Sequence, residues 1–271
     1  MNSYRGRIAP TPTGFLHKGH AKTFKTAENR AKSKNGTLIL RIEDIDHQRC
    51  KDQYTDAILK DLQWVGIEWQ EGPDHGGQFT PYHQSQRIPH FLKTWETLRK
   101  KGFIYPCQLS RKDILNASGK KTSNGEILFP NSLRSKDNSN IKSPDSYNWR
   151  FNVPENRTIE FIDLNYGKCS YTTGIDFGDF MIWNRDNIPS YELAVVTDDI
   201  AMKITEVVRG ADLLISTARQ ILIYEALNQP VPAFYHCDLV TNEHGEKLAK
   251  QAKSESLSEL RKQGVDPQSL F

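Results

Sequence analysis

The apolar positions in the first forty residues change their spacing twice along the chain. Tyr4–Ala9 has the short apolar run of a strand, and two prolines follow it. From His17 to Asn35 the apolar side chains recur every three or four positions, which predicts a helix with one buried stripe. Thr37–Ile42 is again a compact apolar run and predicts a buried strand. A strand, a helix and a strand at this spacing form a βαβ unit, which favours an α/β fold with a parallel sheet.

The rest of the chain predicts further elements around one irregular region. We expect helices at Asp52–Trp64, Gln84–Lys101 and Ala218–Leu227, and strands at Asp179–Trp183, Leu193–Thr197 and Glu206–Arg209. Composition shifts at Gly102, and residues 111–145 are rich in Ser, Asn and Lys with little periodicity. The domains predicted from this shift are a discontinuous α/β domain at 1–101 and 175–245, an inserted subdomain at 102–174, and a loop with a short charged tail at 246–271.

Composition narrows the class of protein. The chain has 271 residues, of which 37% are hydrophobic and 25% are charged, so it is typical of a globular protein with a sizeable core. Its four cysteines are far apart, which argues against a disulfide framework or a zinc knuckle and fits a reducing cytoplasm. No apolar run approaches the length that spans a membrane, and the N-terminus lacks the apolar stretch of a signal peptide. We therefore expect a cytoplasmic protein that does not enter a membrane.

Positive charge is concentrated near the N-terminus. The net charge is only +3, but residues 1–36 contain eight Lys or Arg residues and one acidic residue, Glu28. Such an excess suits an anionic ligand, either a phosphate or a nucleic acid. The alternative is an ordinary solvated helix face.

The turn between the first predicted strand and helix, Thr13–His20, has the composition of a phosphate site. A helix N-terminus presents main-chain N–H groups and the positive end of the helix dipole, and Gly14 and Gly19 allow a ligand to approach closely. His17 and His20 share one face of the helix and are able to donate hydrogen bonds to phosphate oxygens. A metal site is one rival interpretation, but no third ligand lies nearby in the sequence. Surface histidines without a function are the other.

A second cluster, Lys247 and Lys250, follows Gly245 late in the chain. Two lysines three positions apart in a glycine-flanked loop suit the clamping of a triphosphate in a transition state. The alternative is a pair of solvated lysines on a tail, which is the commoner situation for such a pair alone.

These two clusters together resemble the HIGH and KMSKS signatures of class I aminoacyl-tRNA synthetases. Five further segments, in the same order along the chain, resemble motifs of the glutamyl and glutaminyl branch of that class. They are Arg7–Gly14 (RFAPSPTG in the family), Leu40–Asp46 (RIEDxD), Tyr82–Arg87 (QSxR), Tyr191–Asp199 (YxLAVVVDD) and Glu206–Leu213 (EVVRGxDL). The resemblance covers nearly the whole chain and implies a Rossmann-like parallel sheet with an inserted α+β subdomain. By this resemblance residues 1–101 and 175–245 form the catalytic domain, residues 102–174 an acceptor-binding-like subdomain, and residues 246–271 a KMSKS-like loop with a short tail.

Within this branch, the length of the chain resembles that of the glutamyl-Q tRNA(Asp) synthetases, ligases that are catalytic-core paralogues without an anticodon-binding domain. The resemblance implies activation of L-glutamate with ATP and Mg²⁺ in the absence of tRNA. Glutamate is then transferred to the queuosine base at the wobble position of tRNA(Asp), whose anticodon stem-loop is the implied partner, and we expect a monomer. Alternatives are a minimal or truncated glutamyl-tRNA synthetase that charges a tRNA 3′ end, a small-molecule nucleotidylyltransferase, and a non-catalytic RNA-binding paralogue.

The resemblance also assigns the family's functional positions to individual residues. The positions implied for glutamate are Arg7, Ala9, Thr11, Glu43, Tyr191 and Arg209. Those implied for ATP are Thr13, Gly14, His17, Gly19, His20 and Lys250, and the catalytic set is His17, His20, Lys247 and Lys250. Since arginine forks suit carboxylates, Arg209 is expected to hold the side-chain carboxylate, and Glu43 the ammonium group. The alternatives are structural ion pairs of Arg7 and Arg209 with the Glu43–Asp46 cluster, a helix cap or an ion pair for Glu43, and a core role for Tyr191.

Three departures from the family pattern change the expectations. Lys18 stands where the family has an apolar or aromatic residue, and Ala249 replaces the serine of the lysine loop. The family often has a zinc site in the insertion, but here Cys107 stands alone, so zinc is not expected. The other ligand places are taken by Leu109, Phe129 and Leu133. We expect a small hydrophobic cluster in place of the metal.

Overall fold

The structure, a computed structural model, describes residues 3–118, 120–122, 125–135, 141–239 and 256–271. Its helices, in chain order, are α1 (Lys18–Ser33), α2 (Asp52–Trp64), α3 (Ile88–Lys100), α4 (Arg111–Ser118), α5 (Tyr191–Ala201), α6 (Leu214–Leu227) and α7 (Leu257–Lys262). Its strands are β1 (Arg5–Ile8), β2 (Thr37–Leu40), β3 (Ile104–Cys107), β4 (Asn148–Phe151), β5 (Thr158–Asp163), β6 (Gly167–Thr172), β7 (Met181–Trp183), β8 (Glu206–Gly210) and β9 (Ala233–Cys237). Within the described part of the chain, no helix is both long enough and apolar enough to cross a membrane.

These elements belong to two units. The first contains Met1–Arg87, Met202–Leu213 and Pro232–Phe271, and the second contains Ile88–Ala201 and Leu214–Val231. This division differs from the predicted one, since the second unit contains α3, α5 and α6 in addition to the 102–174 stretch. The three helices belong together because α3 packs on α5 and α6, and α5 packs on α6.

The first unit is built on parallel strands, as the βαβ pattern predicted. β1 and β2 pair in parallel with α1 between them along the chain, and β8 pairs in parallel with β9. A 2.9 Å hydrogen bond from the Thr205 N–H to the Arg5 carbonyl oxygen joins the chain before β8 to β1. Helix α1 packs on β1, β2 and β8, so its apolar stripe covers these strands.

Helix α1 follows from its sequence in some detail. Its buried side chains include Phe24, Ala27 and Ala31, which have the three-and-four spacing of one helix face. After the helix, a Cβ on Gly36 would lie 2.4–2.7 Å from atoms of Tyr4. Glycine is therefore required where the chain turns from α1 into β2.

The segment 256–271 completes the core of the first unit. Leu257 is fully buried, and its N–H donates a 2.7 Å hydrogen bond to the carbonyl oxygen of Leu16. Arg261 Nε lies 3.1 Å from the buried carboxylate of Asp61 in α2. The sequence suggested a charged tail here, but the segment is a structural part of this unit.

The second unit is an α+β structure, as predicted for the insertion. Strands β3, β4 and β7 form an antiparallel sheet in that order, and β5 and β6 form an antiparallel hairpin. Trp95 of α3 and Trp149 of β4 are both buried, and their rings meet edge to face with centroids 4.9 Å apart. Aromatic pairs of this geometry stabilise a core beyond the area that they bury.

One predicted strand is a helix. The run Leu193–Thr197 lies inside α5, where every residue from Leu193 to Asp199 is buried. A helix that is buried on all sides has a continuous apolar run, which is indistinguishable from the run of a buried strand. The burial arises because α5 packs against α3, α6 and β7.

Candidate active site

The Thr13–His20 turn lies between β1 and α1 and is held by its two histidines. His17 is the N-cap of α1, and its Nδ1 accepts a 3.1 Å hydrogen bond from the Gly19 N–H. The His20 Nδ1 accepts a 3.3 Å hydrogen bond from the His17 N–H. The two ring centroids are 3.8 Å apart. The histidines thus form one reciprocal helix cap, and the main-chain N–H of Gly19 is engaged within it.

Both imidazoles are held in the neutral form. Burial lowers the pKa of His17, and burial together with the neighbouring His17 ring lowers the pKa of His20 to about 3. Because each Nδ1 accepts a hydrogen bond, each neutral ring carries its proton on Nε2. The pair therefore offers two hydrogen-bond donors without formal charge, which suits anionic phosphate oxygens.

Much of the positive charge near the N-terminus is paired within the first unit. Two lysines of α1 contact the carboxylate of Glu28, at 2.7 and 2.9 Å. Arg30 and Lys34 contact the carboxylate of Glu206 in β8, at 2.5 and 2.8 Å. The two Glu28 pairs lie within α1, whereas the two Glu206 pairs fix the C-terminal end of α1 against β8.

Two of the predicted glutamate-binding side chains are buried near the ends of β1 and β2. Arg7 in β1 is 3% exposed, and its Nη1 donates a 3.0 Å hydrogen bond to the carbonyl oxygen of Val208 in β8. The Glu43 N–H donates to the Pro10 carbonyl oxygen at 3.0 Å, which ties Glu43 to the chain after β1. Its Oε1 accepts a 3.0 Å hydrogen bond from Arg41, so Glu43 forms the kind of structural ion pair considered as an alternative.

Arg209 makes a contact that the sequence did not predict. It is 4% exposed, and its Nε donates a 3.2 Å hydrogen bond to Nε2 of His236 in β9. The two residues are register partners in the parallel β8–β9 pair, and His236 is fully buried. The guanidinium carbon also lies 5.5 Å from the ring centroid of Phe234. His236 therefore helps to fix the direction of the Arg209 guanidinium.

A polar cluster holds the chain on which Glu43 lies. The carboxylate of Asp44 accepts hydrogen bonds from the N–H and the hydroxyl of Ser85, at 2.9 and 2.8 Å. It also lies 2.9 Å from Nδ1 of His83, and this hydrogen bond raises the pKa of the imidazole. The Tyr82–Arg87 segment is therefore anchored to the chain that follows β2.

The remaining predicted residues are distributed over both units. Those of the first unit are Ala9, Thr11, Thr13 and Gly14, all in the chain after β1. Thr11 and Thr13 are exposed, and a 2.9 Å hydrogen bond joins the Thr13 N–H to the Thr11 carbonyl oxygen. Tyr191 is the first residue of α5, in the second unit. Lys247 and Lys250 lie outside the described residues, so their contact with ATP stays a prediction.

The region where the resemblance implied a lost zinc site holds an apolar cluster. Its buried members are Tyr105, Cys107, Ile114 and Phe129, with Leu109 and Ile127 packed against them. The prediction is confirmed for Leu109 and Phe129, but it is wrong for Leu133, which lies outside the cluster and is 37% exposed. No three His, Cys, Asp or Glu side chains of the described residues are grouped so that they could hold a metal.

Comparison with known proteins extends over the length of the chain. The family described as class I tRNA synthetases (E and Q), catalytic domain, matches residues 3–271. A glutamyl-Q tRNA(Asp) synthetase of Symbiobacterium thermophilum is 39% identical, over 98% of this chain and 83% of its own length. A glutamate–tRNA ligase of Sulfurihydrogenibium sp. is 37% identical, over 98% of this chain and 56% of its own length.

A solved structure has the same fold. The crystal structure of a glutamate tRNA ligase from Elizabethkingia meningosepticum, in complex with its amino acid, is similar with a TM-score of 0.79 and 32% identity. The similarity covers 94% of this chain and 52% of that one, so the chain spans about half the length of that ligase. From the motifs, the fold and these matches, the chain belongs to the class I aminoacyl-tRNA synthetases, in the catalytic-domain family of the glutamyl and glutaminyl enzymes.

Proposed function

We propose that the protein activates L-glutamate with ATP in the absence of RNA, and then transfers the glutamyl group to the queuosine base at the wobble position of tRNA(Asp). In the first step the α-carboxylate of glutamate attacks the α-phosphorus of ATP. The bond to the bridging oxygen breaks, and pyrophosphate leaves with the electron pair. In the second step a hydroxyl of the RNA attacks the glutamyl carbonyl, loses its proton to solvent, and releases AMP.

The histidine turn supports the activation step. The neutral rings of His17 and His20 offer two Nε2–H donors, which suit the charge that develops on phosphate oxygens as pyrophosphate departs. Since the nucleophile is already a carboxylate, no side chain needs to remove a proton first. Mg²⁺ accompanies ATP as the counter-ion of its phosphates, and Lys247 and Lys250 are proposed to contact the same phosphates.

The glutamate assignment depends chiefly on the buried arginines Arg7 and Arg209. Arg7 hydrogen-bonds to the main chain of Val208, the residue before Arg209, so both side chains belong to one region of the first unit. Two guanidinium groups suit an amino acid with two carboxylates, because each is able to bind a carboxylate through two parallel hydrogen bonds. We assign the side-chain carboxylate to Arg209 and the ammonium group to Glu43.

The choice of RNA acceptor is supported by the relatives. The Symbiobacterium protein carries the name of a glutamyl-Q tRNA(Asp) synthetase, and the match extends over most of its length. A second candidate function is the charging of a tRNA 3′ end, which is favoured by the nearly equal identity to a glutamate–tRNA ligase. The two functions share the activation step and differ in the nucleotide that receives glutamate.

The activation step is tested by ATP–pyrophosphate exchange without RNA, with glutamate or glutamine as the amino acid. We expect exchange with glutamate only. Arg209→Ala should raise the glutamate KM by about tenfold or more, since a charge-assisted hydrogen bond contributes about 1.5–3 kcal/mol. The ATP KM should change little. Arg49→Ala, whose side chain is 75% exposed in the same unit, is the matched control and should resemble the wild type. An unaltered glutamate KM in Arg209→Ala would contradict the assignment.

The acceptor is tested with labelled glutamate and three RNAs. These are tRNA(Asp) that contains queuosine, tRNA(Asp) from cells unable to make queuosine, and tRNA(Glu). We expect label on the first alone, and ribonuclease digestion should locate it in the anticodon fragment. Stable label on the 3′-terminal nucleotide of tRNA(Glu) would establish the second candidate function instead.

A further inference from the structure

Glu43 lies where the regular ladder of β2 has ended, so its direction depends on individual contacts. After β2 the chain makes one isolated bridge, in which Ile42 pairs in parallel with His83. The Glu43 N–H then donates a 3.0 Å hydrogen bond to the carbonyl oxygen of Pro10. Residues 44–46 do not belong to a strand. The contacts made directly after Glu43 therefore decide how firmly its side chain is held.

The next residue, Asp44, makes such contacts through its side chain. Oδ1 accepts a 2.9 Å hydrogen bond from the Ser85 N–H, and Oδ2 accepts a 2.8 Å hydrogen bond from the Ser85 hydroxyl. Oδ2 also lies 2.9 Å from Nδ1 of His83. Burial alone would raise the pKa of Asp44, but these hydrogen bonds outweigh it and lower the pKa below its usual value. The ionised carboxylate therefore clamps the chain after Glu43 to the Tyr82–Arg87 segment.

The segment to which Asp44 is clamped is itself fixed. The Ile42 N–H donates to the Tyr82 carbonyl oxygen, and the Gln84 N–H donates to the Ile42 carbonyl oxygen, each at 2.9 Å. The Arg87 side chain is buried and donates two 3.0 Å hydrogen bonds to carbonyl oxygens of the preceding chain. The clamp therefore joins the chain after β2 to a rigid neighbour.

Asp44 and Glu43 lie on opposite sides of this chain. The N–H groups of residues 41, 42 and 43 donate in turn to the end of β1, to the 82–87 segment and to the chain after β1, as in an extended chain. Side chains of an extended chain alternate between its two sides, so Arg41 and Glu43 share one side. They meet there, since Arg41 Nη2 donates a 3.0 Å hydrogen bond to Glu43 Oε1. Asp44 holds the main chain from the other side.

The direction of Glu43 matters because its charge is already offset. Arg41 is fully buried and Glu43 is 7% exposed, so the two form a buried ion pair without net charge. The attraction of this pair for a cation then depends chiefly on hydrogen-bond geometry, which is sensitive to angle. A carboxylate has acceptor sites for several donors, so a correctly turned Glu43 is able to hold both Arg41 and an ammonium group.

We propose that Asp44 is a positioning residue for glutamate recognition. By clamping the chain to Ser85 and His83, it turns the Glu43 carboxylate toward the ammonium group of the substrate, which Asp44 itself does not touch. The inference rests on the proposed function in one respect, the assignment of the ammonium group to Glu43. Loss of the clamp should weaken recognition of the ammonium group and leave recognition of the two carboxylates unchanged.

The variant Asp44→Ala removes the clamp and is tested by ATP–pyrophosphate exchange without RNA. We expect the glutamate KM to rise about tenfold, which is the effect of one misdirected charge-assisted hydrogen bond, while kcat and the ATP KM stay within about twofold. A merely structural role would reduce the folded fraction and lower kcat at an unchanged KM. The matched control is Asp56→Ala, at an exposed position of α2 in the same unit, which should resemble the wild type. An unaltered glutamate KM in Asp44→Ala would overturn the proposal.

Asp44→Asn separates the position of the side chain from its charge. The amide oxygen is able to accept the hydrogen bond from the Ser85 N–H, and the amide N–H group is able to donate to the Ser85 hydroxyl and to a neutral His83. The clamp is thus kept without its charge, and the glutamate KM should lie within about threefold of the wild type. A KM equal to that of Asp44→Ala would show that the charge acts from a distance, contrary to the proposal.

Glutarate, which is glutamate without its ammonium group, identifies the contact that is lost. Its inhibition constant against glutamate should agree within about twofold between the wild type and Asp44→Ala, because it has no group for Glu43 to hold. The double variant Glu43→Gln/Asp44→Ala should have the glutamate KM of Glu43→Gln within about twofold, since residues that act through one contact are not additive. A parallel loss of glutarate affinity, or a further large rise of KM in the double variant, would overturn the proposal.

The same variants separate this proposal from the proposed function. If the wild type exchanges with glutamate and Asp44→Ala has an unchanged KM, the positioning proposal alone fails. If the wild type shows no exchange, the proposed function fails, and calorimetric titration with glutamate then compares the variants. A dissociation constant about tenfold higher in Asp44→Ala would still support the positioning role, whereas an unchanged one would overturn it. If the wild type neither exchanges nor binds glutamate, both fail.

Discussion

The neutral state of the two turn histidines makes stability depend on pH, and the variant His20→Asn isolates this effect. The asparagine amide oxygen is able to accept the hydrogen bond from the His17 N–H, which the His20 Nδ1 accepts in the wild type. Asparagine does not titrate. The variant therefore keeps the capping contact of α1 and removes one proton-binding group from the turn.

The magnitude follows from the pKa of His20, which is about 3 in the folded protein against 6.5 for an ordinary histidine. A base whose pKa is lowered by folding binds fewer protons in the folded protein than in the unfolded chain. Its stability contribution is therefore at its full value above pH 6.5 and decreases as the pH falls towards the folded pKa. At pH 5 the loss is about 2 kcal/mol, since each pH unit corresponds to about 1.36 kcal/mol. The ring is partly exposed, so we expect about 1–2 kcal/mol.

The assay is urea unfolding of wild type and variant at pH 7 and pH 5. Other titrating groups are common to both proteins, so the difference between their pH dependences reports His20. The wild type should lose about 1–2 kcal/mol more of its free energy of unfolding than His20→Asn between the two pH values. Equal losses in the two proteins would refute the conclusion that this imidazole is held neutral.

Three further predictions concern buried residues of the two units. Glu206→Gln should lower the free energy of unfolding by about 1.5–3 kcal/mol, because the buried Glu206 carboxylate loses its charge-assisted hydrogen bonds from Arg30 and Lys34. Glu96→Gln, at an exposed ion pair, should have little effect, and similar urea midpoints for the two variants would contradict this prediction. His236→Ala should raise the glutamate KM about tenfold in pyrophosphate exchange and leave the ATP KM unchanged, because the Arg209 guanidinium loses the hydrogen bond that fixes its direction. An unchanged glutamate KM would exclude this role for His236. Phe129→Ala should lower the free energy of unfolding by about 3 kcal/mol, because it leaves a cavity in the apolar cluster of the second unit. Elemental analysis of the dialysed wild type should find no stoichiometric zinc, and one zinc per chain would contradict the conclusion that this apolar cluster replaces a zinc site.

The early elements of the fold could be predicted because they are amphipathic and local. Helix α2 begins and ends where the apolar spacing predicted, at Asp52 and Trp64, and β1, α1 and β2 agree within a few residues. The strand predicted at Leu193–Thr197 failed for a physical reason. Helix α5 is buried on all faces, and only a half-buried helix displays its period in the sequence.

The candidate site, too, could be predicted from the sequence only in part. The residues with assigned roles were found through motifs, but their neighbours depend on contacts between distant segments. His236 meets Arg209 only through the register of β8 and β9, and no local spacing indicates such a pair. Leu133 was assigned to the apolar cluster from its place in the sequence, yet the chain turns there in a 3₁₀ turn and exposes it.

The segment 256–271 has a consequence for how the first unit folds. The main-chain hydrogen bond between Leu257 and Leu16 joins residues about 240 positions apart, and Leu257 and Leu270 fill the same core as Ile8. Contacts between residues so far apart in the sequence form slowly, because the chain loses the entropy of loop closure before the contact stabilises the fold. During synthesis β1 and α1 leave the ribosome long before this segment exists, with part of their apolar surface exposed to water. The first unit therefore completes its native core only after residue 270 has been synthesised, and before that its exposed apolar surface favours aggregation.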